Sequence, residues 1–514
     1  MRVPQNSAAT GRLAGELYSP GRGEYDTNIL RGSFKEEGGR LRFVKAGCRV
    51  LVCALVFPLC VSSAGANDED FLSKQLDLVR RRFQLNRAIG VRVVSLETGE
   101  TLYAHNADKK FIPASGMKLV TMAAALHYLG PNHRFETRLL VDGPIVDGVA
   151  RANVYIQGSG DPALTGGDLE EITSALARAG IHEIEGDLIL DDSFFDDQLR
   201  GPASYDNILK KGLPIQSALS YNFNIVEVKA SPAETEGTRA LLFDEGYGYF
   251  EILNRVTTAG WGRPWLQVKK SGGHDRVIVS GRVIEGDQEL TGGFVAPDPP
   301  RYLASAFVGK LAERGVTFHG KIASGVASGP KLRTLYVHRS PPLIQIVELL
   351  GKNSNNFVAE QILKALGAHR WGPPGSFESG SRALSEYLLG LGYPKEAFRI
   401  EDGSGLSYEN YLSASILSDV LLELYRTPEL RTSFLCALAL GGVDGTLAKR
   451  FQSEEYLGKV MAKTGSLAGT SSLSGFVFSE TGGLLVFSVV LNGISRQWRA
   501  DQVEDEIAKT LVRY

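Results

Sequence analysis

The sequence predicts an α/β (α+β) chain in which one domain, an antiparallel sheet flanked by helices, is interrupted by a large β-rich insertion. Three observations carry this. A helix and a hairpin open the ordered part of the chain, at Asp68 to Leu85 and Ile89 to His105. Three strands and a helix close it, between Lys459 and Val512. Between Arg134 and His338 the texture changes to short strands and turns rich in Gly, Asp and Pro. Elements from the two ends can share one sheet, which makes the middle an insertion and not a domain in series.

Taken in order, Asp68 to Leu85 has helical periodicity, with Phe71, Leu72, Leu76, Leu78, Val79 and Phe83 expected on one side. Ile89 to Leu96, the turn Glu97-Thr98-Gly99-Glu100 and Thr101 to His105 form a hairpin. Lys118 to Leu129 is a buried helix of Leu, Val, Met and Ala that Gly130-Pro131 stops. Within the middle, Val154 to Gln157 and Leu188 to Leu190 are strands, Thr165 to Ala179 is a helix, and a subdivision is expected near Asp197 to Asn222. Helices follow at Tyr302 to Glu313, Leu343 to Gly351, Asn356 to Leu366, Ser379 to Leu391, Ser413 to Tyr425 and Glu429 to Leu438. The closing strands are Lys459 to Thr464, Ser471 to Phe478 and Leu484 to Leu491, before a helix from Gln497 to Val512. The resulting division is 1–66 as leader, 67–133 plus 339–514 as the main domain, and 134–338 as the insertion, itself of two subdomains.

The bulk numbers bound the rest. At 514 residues, 43% hydrophobic and 22% charged, the chain is an ordinary globular sequence of two to four domains. A formal net charge of -2 suggests no nucleic-acid partner. Arg40, Arg42, Lys45 and Arg49 precede an apolar run from Val50 to Val61 and then Ser62-Ser63-Ala64-Gly65-Ala66, which together form a secretory signal peptide cleaved after Ala66. The run, about 12 residues, falls short of the roughly 20 that span a bilayer, although retention as an anchor is the alternative. Cys48, Cys53 and Cys60 lie in this leader, so its removal would leave Cys436 as a single thiol with no internal disulfide. The expected location is outside the cytoplasmic membrane, in the periplasm or at the membrane's outer face, with peripheral membrane association allowed.

Three short strings carry the chemistry: Ser115-Gly116-Met117-Lys118, Ser354-Asn355-Asn356 and Lys463-Thr464-Gly465. The first, S-x-x-K, recurs about twice by chance in a chain of this length, so only the ordered set is informative. Ser115 stands at the start of a helix with Lys118 one turn on, which lets the amine reach the hydroxyl. A serine needs such a base, and a lysine serves once burial and neighbouring cations hold part of it neutral. Ser354-Asn355-Asn356 lies between two helices, where Ser354 can relay a proton and the Asn356 amide can pair with a peptide bond, although for the string taken alone an Asn-rich helix cap is the better account. Lys463 and Thr464 close the strand Val460 to Thr464 and form a carboxylate site, with Gly465 allowing close approach. The main-chain N–H groups of Ser466 and Ser115 can form an oxyanion hole. No H-E-x-x-H spacing and no G-x-S-x-G elbow occurs, Gly403-Ser404-Gly405 being taken as a turn, so no metal and no cofactor is expected. The acidic run from Asp191 to Asp197 is either a solvated loop or, through Asp191, a substrate contact.

In these three strings the chain resembles the class C, low-molecular-mass penicillin-binding proteins, D-alanyl-D-alanine carboxypeptidases and endopeptidases with a serine β-lactamase/D,D-peptidase-like catalytic domain. The resemblance extends through Gly160-Asp161-Pro162-Ala163-Leu164-Thr165, Leu219-Ser220-Tyr221-Asn222, Asp402-Gly403-Ser404-Gly405-Leu406-Ser407 and Gly442-Val443-Asp444-Gly445-Thr446-Leu447. About 240 residues separate S-x-x-K from S-x-N, an insertion that is a hallmark of this family. The resemblance implies Ser115 as acylated nucleophile, Lys118 as its base, and Ser354, Asn356, Lys463 and Thr464 completing the site. It further implies Asp191 as a contact for the free amino end of a stem-peptide diamino acid, peptidoglycan peptides as substrates and β-lactams as covalent inhibitors. The middle string is S-N-N where many relatives have S-D-N. The alternatives are a β-lactamase or esterase on the same scaffold, for which no water-activating Glu stands out, and a non-catalytic wall-binding protein, which has no need of both lysines.

Overall fold

The computed structural model describes residues 66–201, 215–271 and 276–514. Helix α1 (Ala66–Arg82) leads into strands β1 (Ile89–Ser95) and β2 (Thr101–His105). A single 3-10 turn, Ala114–Gly116, then opens α2 (Met117–Tyr128). Residues Met117 to Leu126 of α2 are all buried, as a helix apolar on every side requires.

The chain next enters a region of small sheets. Strands β3 (Glu136–Val141), β4 (Ile145–Val146), β5 (Val149–Ala150) and β6 (Val154–Gly158) precede α3 (Gly166–Arg178), whose Thr165 cap and Asp168 exchange hydrogen bonds. Strands β7 (Glu183–Ile184) and β8 (Leu188–Asp191) follow, then β9 (Ile225–Ser231), β10 (Leu241–Asp244), β11 (Glu251–Ala259), β12 (Trp265–Lys270), β13 (Arg276–Ile284) and β14 (Leu290–Val295). Helix α4 (Pro299–Glu313), capped by Asp298, and strands β15 (Thr317–Phe318), β16 (Ile322–Ser324) and β17 (Arg333–Arg339) return the chain. The sheets are ordered β16-β8-β6-β3-β17, β15-β7-β5-β4, β10-β9-β14 and β11-β13-β12. They enclose a hydrophobic cluster of their own with α3 and α4, drawn from Leu139 to Val316.

Helices α5 (Leu343–Gly351), α6 (Asn356–Trp371), α7 (Phe377–Gly390), α8 (Ala414–Arg426) and α9 (Pro428–Ala437) come next. Strands β18 (Ala439–Leu440), β19 (Val460–Leu467), β20 (Thr470–Phe478) and β21 (Leu484–Asn492) and helix α10 (Gln497–Arg513) finish the chain. The first and last strands meet in one sheet, β18-β19-β20-β21-β1-β2, antiparallel at every pair. Alternation along β21 shows how it is buried. Leu485, Phe487, Val489 and Leu491 pack under α1 and α10, whereas Val486 and Val490 face α2 and the α5 to α8 helices. The sheet is therefore the middle of three layers.

Two expectations change. Among the described side chains of α1 only Leu72 and Leu76 are fully buried; Phe71 and Leu78 are 59% and 58% exposed, because residues 71 and 78 lie off the 72, 76, 79, 83 stripe that α10 covers. Strand β19 does not close at Thr464 but continues to Leu467, and the turn comes at Gly469, where φ is +80°. In the full chain Cys436 is disulfide-bonded to a residue outside those described, and the lone thiol is the expectation for the chain once its leader is removed. The signal-peptide reading falls, up to residue 65, on residues outside those described. Among the described residues no helix is long and apolar enough to cross a membrane.

The small-sheet region rests on α6 through residues 194–198. Gly375 N donates to Phe194 O and Asp196 N to Gly375 O, at 2.9 and 3.0 Å. Beneath them the buried Lys364 ammonium pairs with the Asp196 carboxylate at 2.6 Å and donates to Gln198 O at 2.9 Å. The Phe195 and Phe377 rings lie 5.2 and 5.1 Å from it. Lys364→Met leaves that carboxylate without its cation and is expected to cost about 3 kcal/mol, read as a lowered urea midpoint; an unchanged midpoint would show that this contact does not hold the two regions together.

Candidate active site

The site forms where four segments converge on the end of β19. Ser115 sits in the 3-10 turn before α2, and its hydroxyl opens to the cleft. Ala114, just before it, has φ +47°, a left-handed conformation that aims the serine out of the turn. One helical turn on, Lys118 is 0% exposed. Its Nζ donates to Ser115 Oγ at 2.9 Å, Asn356 Oδ1 at 2.7 Å and Ser404 O at 2.6 Å. These use all three protons of an ammonium. In the neutral amine two protons remain for the two carbonyl-type acceptors, and the lone pair faces the serine hydroxyl.

Burial drives Lys118 down to about 7, while the Asp402 and Glu360 carboxylates pull it back up. Lys463, also 0% exposed, is held well below the ordinary lysine range by burial and by the neighbouring Lys118 charge. Its Nζ donates to Ser354 Oγ at 2.8 Å and to Thr464 O at 2.5 Å. The middle string serves two purposes at once. Asn355 is the N-cap of α6, accepting from Val358 N at 3.1 Å, while its neighbours Ser354 and Asn356 reach the two lysines. Ser354 adopts φ +56° to do so.

Gly465 is needed for close approach and not for a turn. A Cβ there would lie 2.3 Å from Ser472 Oγ and 2.9 Å from Gly116 N and Pro113 O, so a side chain would push β19 off the nucleophile turn. Ser472 Oγ ties the same turn to β20 by donating to Pro113 O at 2.7 Å. Ser466, the next residue, is exposed at the cleft end of β19.

Several residues of the site were not assigned a role from sequence. Glu360, one turn beyond Asn356, is buried and accepts from Ser404 N at 2.9 Å and Gly403 N at 3.2 Å. Asp402 accepts from Gly405 N and Ser407 N, each at 2.6 Å, and from Asn410 Nδ2 at 2.9 Å. Together they shape the 402–407 turn so that the Ser404 carbonyl meets Lys118. Gly405, at φ +82°, passes so close to Ala114 O that a Cβ would stand 1.8 Å from it. Taking Gly403-Ser404-Gly405 as a turn was sound but missed its contact with the base. Thr446 accepts the Thr464 hydroxyl at 2.8 Å. Asp402, Ser404, Gly405 and Thr446 stand in strings that the resemblance had singled out without a role, whereas nothing local marked Glu360, and only pairing across the sequence shows what each does.

The structure thus brings Ser115, Lys118, Ser354, Asn356, Lys463, Thr464, Gly465 and Ser466 together. Asp191 stands apart. It lines a separate pocket of ≈ 420 Å³ with Gln157, Ser193 and His369, and His369 is roughly 20 Å along α6 from Asn356. Its carboxylate is 1% exposed and accepts from Gln157 Nε2, Ala327 N, Ser193 N and Ser193 Oγ at 2.8, 2.9, 3.1 and 2.6 Å. Burial opposes its ionisation, but those hydrogen bonds outweigh it and hold the pKa below the usual value. Among the described residues no His, Cys, Asp and Glu grouping has the form of a metal site.

Comparison with known proteins agrees with this geometry. The chain is 30% identical to a D-alanyl-D-alanine carboxypeptidase of Actinomadura sp. (strain R39), over 89% of this chain and 87% of the relative. It is 27% identical to D-alanyl-D-alanine carboxypeptidase DacB of Haemophilus influenzae, over 79% and 86%. The crystal structure of penicillin binding protein 4 (dacB) from Haemophilus influenzae shares the fold with a TM-score of 0.70 at 24% identity, covering 85% of this chain and 99% of that one. The D-Ala-D-Ala carboxypeptidase 3 (S13) family matches residues 72–514. The chain therefore belongs to the D-Ala-D-Ala carboxypeptidase 3 (S13) family and is a serine peptidase of that family.

Proposed function

We propose that the protein hydrolyses the D-alanyl-D-alanine bond of peptidoglycan stem peptides, and the D-alanyl linkage of cross-bridges, through an acyl-enzyme on Ser115. The observation that carries this is the threefold coordination of Lys118 Nζ, which leaves the lone pair of its neutral form to the Ser115 hydroxyl. Lys118 takes the hydroxyl proton as Ser115 Oγ attacks the carbonyl. The N–H groups of Ser115 and Ser466 receive the oxyanion, typically worth about 3 kcal/mol of barrier for a single donor. Ser354, which accepts from Lys463 Nζ at 2.8 Å, relays the proton taken up by Lys118 to the departing amine, so that Lys118 returns to its neutral form. Lys463 and Thr464 hold the terminal carboxylate of the leaving D-alanine. An incoming carboxylate also raises the depressed Lys463 pKa, so substrate binding charges the residue that grips it. Water then releases the acyl group, with Lys118 again as base. A β-lactam carries a comparable carbonyl and carboxylate and acylates the same serine.

In this reading 67–133 plus 339–514 form the catalytic domain and 134–338 an inserted region of two subdomains, supported by the separate cluster that the small sheets enclose. Asp191 belongs to the wall of a pocket between the inserted region and the end of α6, where its saturated carboxylate fixes Ser193 and Gln157 for an incoming peptide. The basic flank and apolar run at 40–61 support export by a signal peptide to the periplasm or the outer face of the cytoplasmic membrane, with peripheral membrane association.

Two measurements test this. Monomeric and cross-linked muropeptides incubated with the protein are expected to yield free D-alanine and cleaved cross-bridges by mass. Ser115→Ala lowers both by roughly a thousandfold or more and abolishes covalent labelling by penicillin; persistent labelling would sink the assignment of the nucleophile. The acylation rate should rise with pH through the region near 7, because the base acts as the neutral amine and Lys118 is held at about 7. Glu360→Gln removes a carboxylate that favours the ammonium, so that limb moves to lower pH; a limb that stays in place or moves upward excludes Lys118 as the titrating base.

A further inference from the structure

A buried acid lies on the far side of the sheet from the lysines, outside the steps described above. Glu504, on α10, is 1% exposed. Its Oε1 lies 2.6 Å from Ser471 Oγ, and its Oε2 accepts from Arg450 Nη1 at 3.1 Å. Ser471 is opposite Ser466 in the β19–β20 ladder. The same Ser471 hydroxyl lies 3.2 Å from Gly465 O. It also accepts from Gln497 Nε2 at 2.9 Å.

A serine hydroxyl has one proton. It cannot donate to the Glu504 carboxylate and to the Gly465 carbonyl together. While Glu504 is ionised, the shorter, charge-assisted bond takes that proton. Once Glu504 is protonated it can donate to Ser471 Oγ, and the Ser471 proton is freed for Gly465 O. The carbonyl in question belongs to the peptide unit whose N–H is that of Ser466. In a trans peptide the two bonds point in opposite directions. A donor on the carbonyl therefore polarises and steadies the N–H that faces the cleft.

We propose that Glu504 is a positioning residue of the acyl-transfer site, deciding whether the Ser471 hydroxyl supports the Gly465 carbonyl and so the Ser466 N–H as oxyanion donor. This rests on the acyl-enzyme reading above and deepens it. Burial pushes Glu504 up to about 7, and Asp501 on its own helix adds to the push, against Arg450 and Ser471. Arg450 is shared with Asp505, at 2.6 Å. Neither β20 nor β21 carries a charged residue. On β19 the lone charge, Lys463, projects from the opposite face to Ser466 and Ser471, by the period of two. On α1, which packs against α10, Asp77 and Arg80 pair with each other.

The test compares acylation of Ser115 by a chromogenic or labelled β-lactam in the full chain, with Ser115 identified as the labelled residue by peptide mass. Ser471→Ala removes the support, and the ratio of wild-type to variant acylation rate is expected to be roughly three- to tenfold at about pH 5.5. It should fall toward one at about pH 8.5, where Glu504 holds the proton donor in the wild type. Titration of Lys118 and Lys463 is common to both proteins and cancels in the ratio. In a Glu504→Gln background, where no carboxylate competes, the ratio should stay constant with pH. Ser471→Thr, which keeps the hydroxyl, should restore the wild-type rate and pH dependence, separating loss of the proton donor from loss of packing. A ratio that does not vary with pH, or one that still varies in the Glu504→Gln background, overturns the proposal. Absence of label on Ser115 in the wild type would instead overturn the acyl-enzyme reading.

Discussion

Two lysine side chains are buried in one cleft, away from bulk solvent, and much of the surrounding architecture answers that cost. An ammonium without solvent is tolerable only if every proton has an acceptor and opposite charge lies near. For Lys118 the acceptors are a serine hydroxyl, an asparagine carbonyl and a backbone carbonyl, drawn from three separated parts of the chain. The compensating charges are those of Glu360 and Asp402. They are spent on backbone N–H groups of the 402–407 turn and act on the lysine through space. The same burial that would be a liability in a structural lysine lowers this one to about 7, which is what the proposed role as base requires.

The second constraint is how closely backbone segments can approach. The end of β19, the nucleophile turn and the 402–407 turn meet with no room for side chains at Gly465 and Gly405. This suits the oxyanion site proposed for the Ser115 and Ser466 N–H groups, which relies on main-chain donors and not on flexible side chains. A sheet edge is well suited to the purpose, since an edge strand has amides that no neighbouring strand uses. Strand β18 pairs with β19 only at Ala462 and Met461, which leaves the rest of that edge to the cleft.

Most elements were legible because their signals are local. The period of α2, the Asn-rich cap that opens α6, and the runs of strand-forming residues in β20 and β21 all reflect neighbouring residues acting on one backbone. The errors also have local causes. A glycine after Lys463-Thr464 looks like a strand end, because turns and tight packing select the same residue for different reasons. Phe71 and Leu78 look like core, because apolarity marks which residues can be buried and not which face a partner helix will cover.

The sequence by itself determined the order of the elements, the return of the last strands to the first, and the residue types of the acyl-transfer chemistry, since each follows from short-range pattern and motif order. Only the tertiary structure decided which of those residues meet. It set Lys118 among acceptors that are hundreds of positions away, gave Ser404 and Glu360 their place around it, put Glu504 behind the strand that carries Ser466, and left Asp191 in a separate pocket. Such contacts depend on how whole layers pack, and a pKa or a hydrogen bond depends on what is packed around a group, which no local spacing encodes.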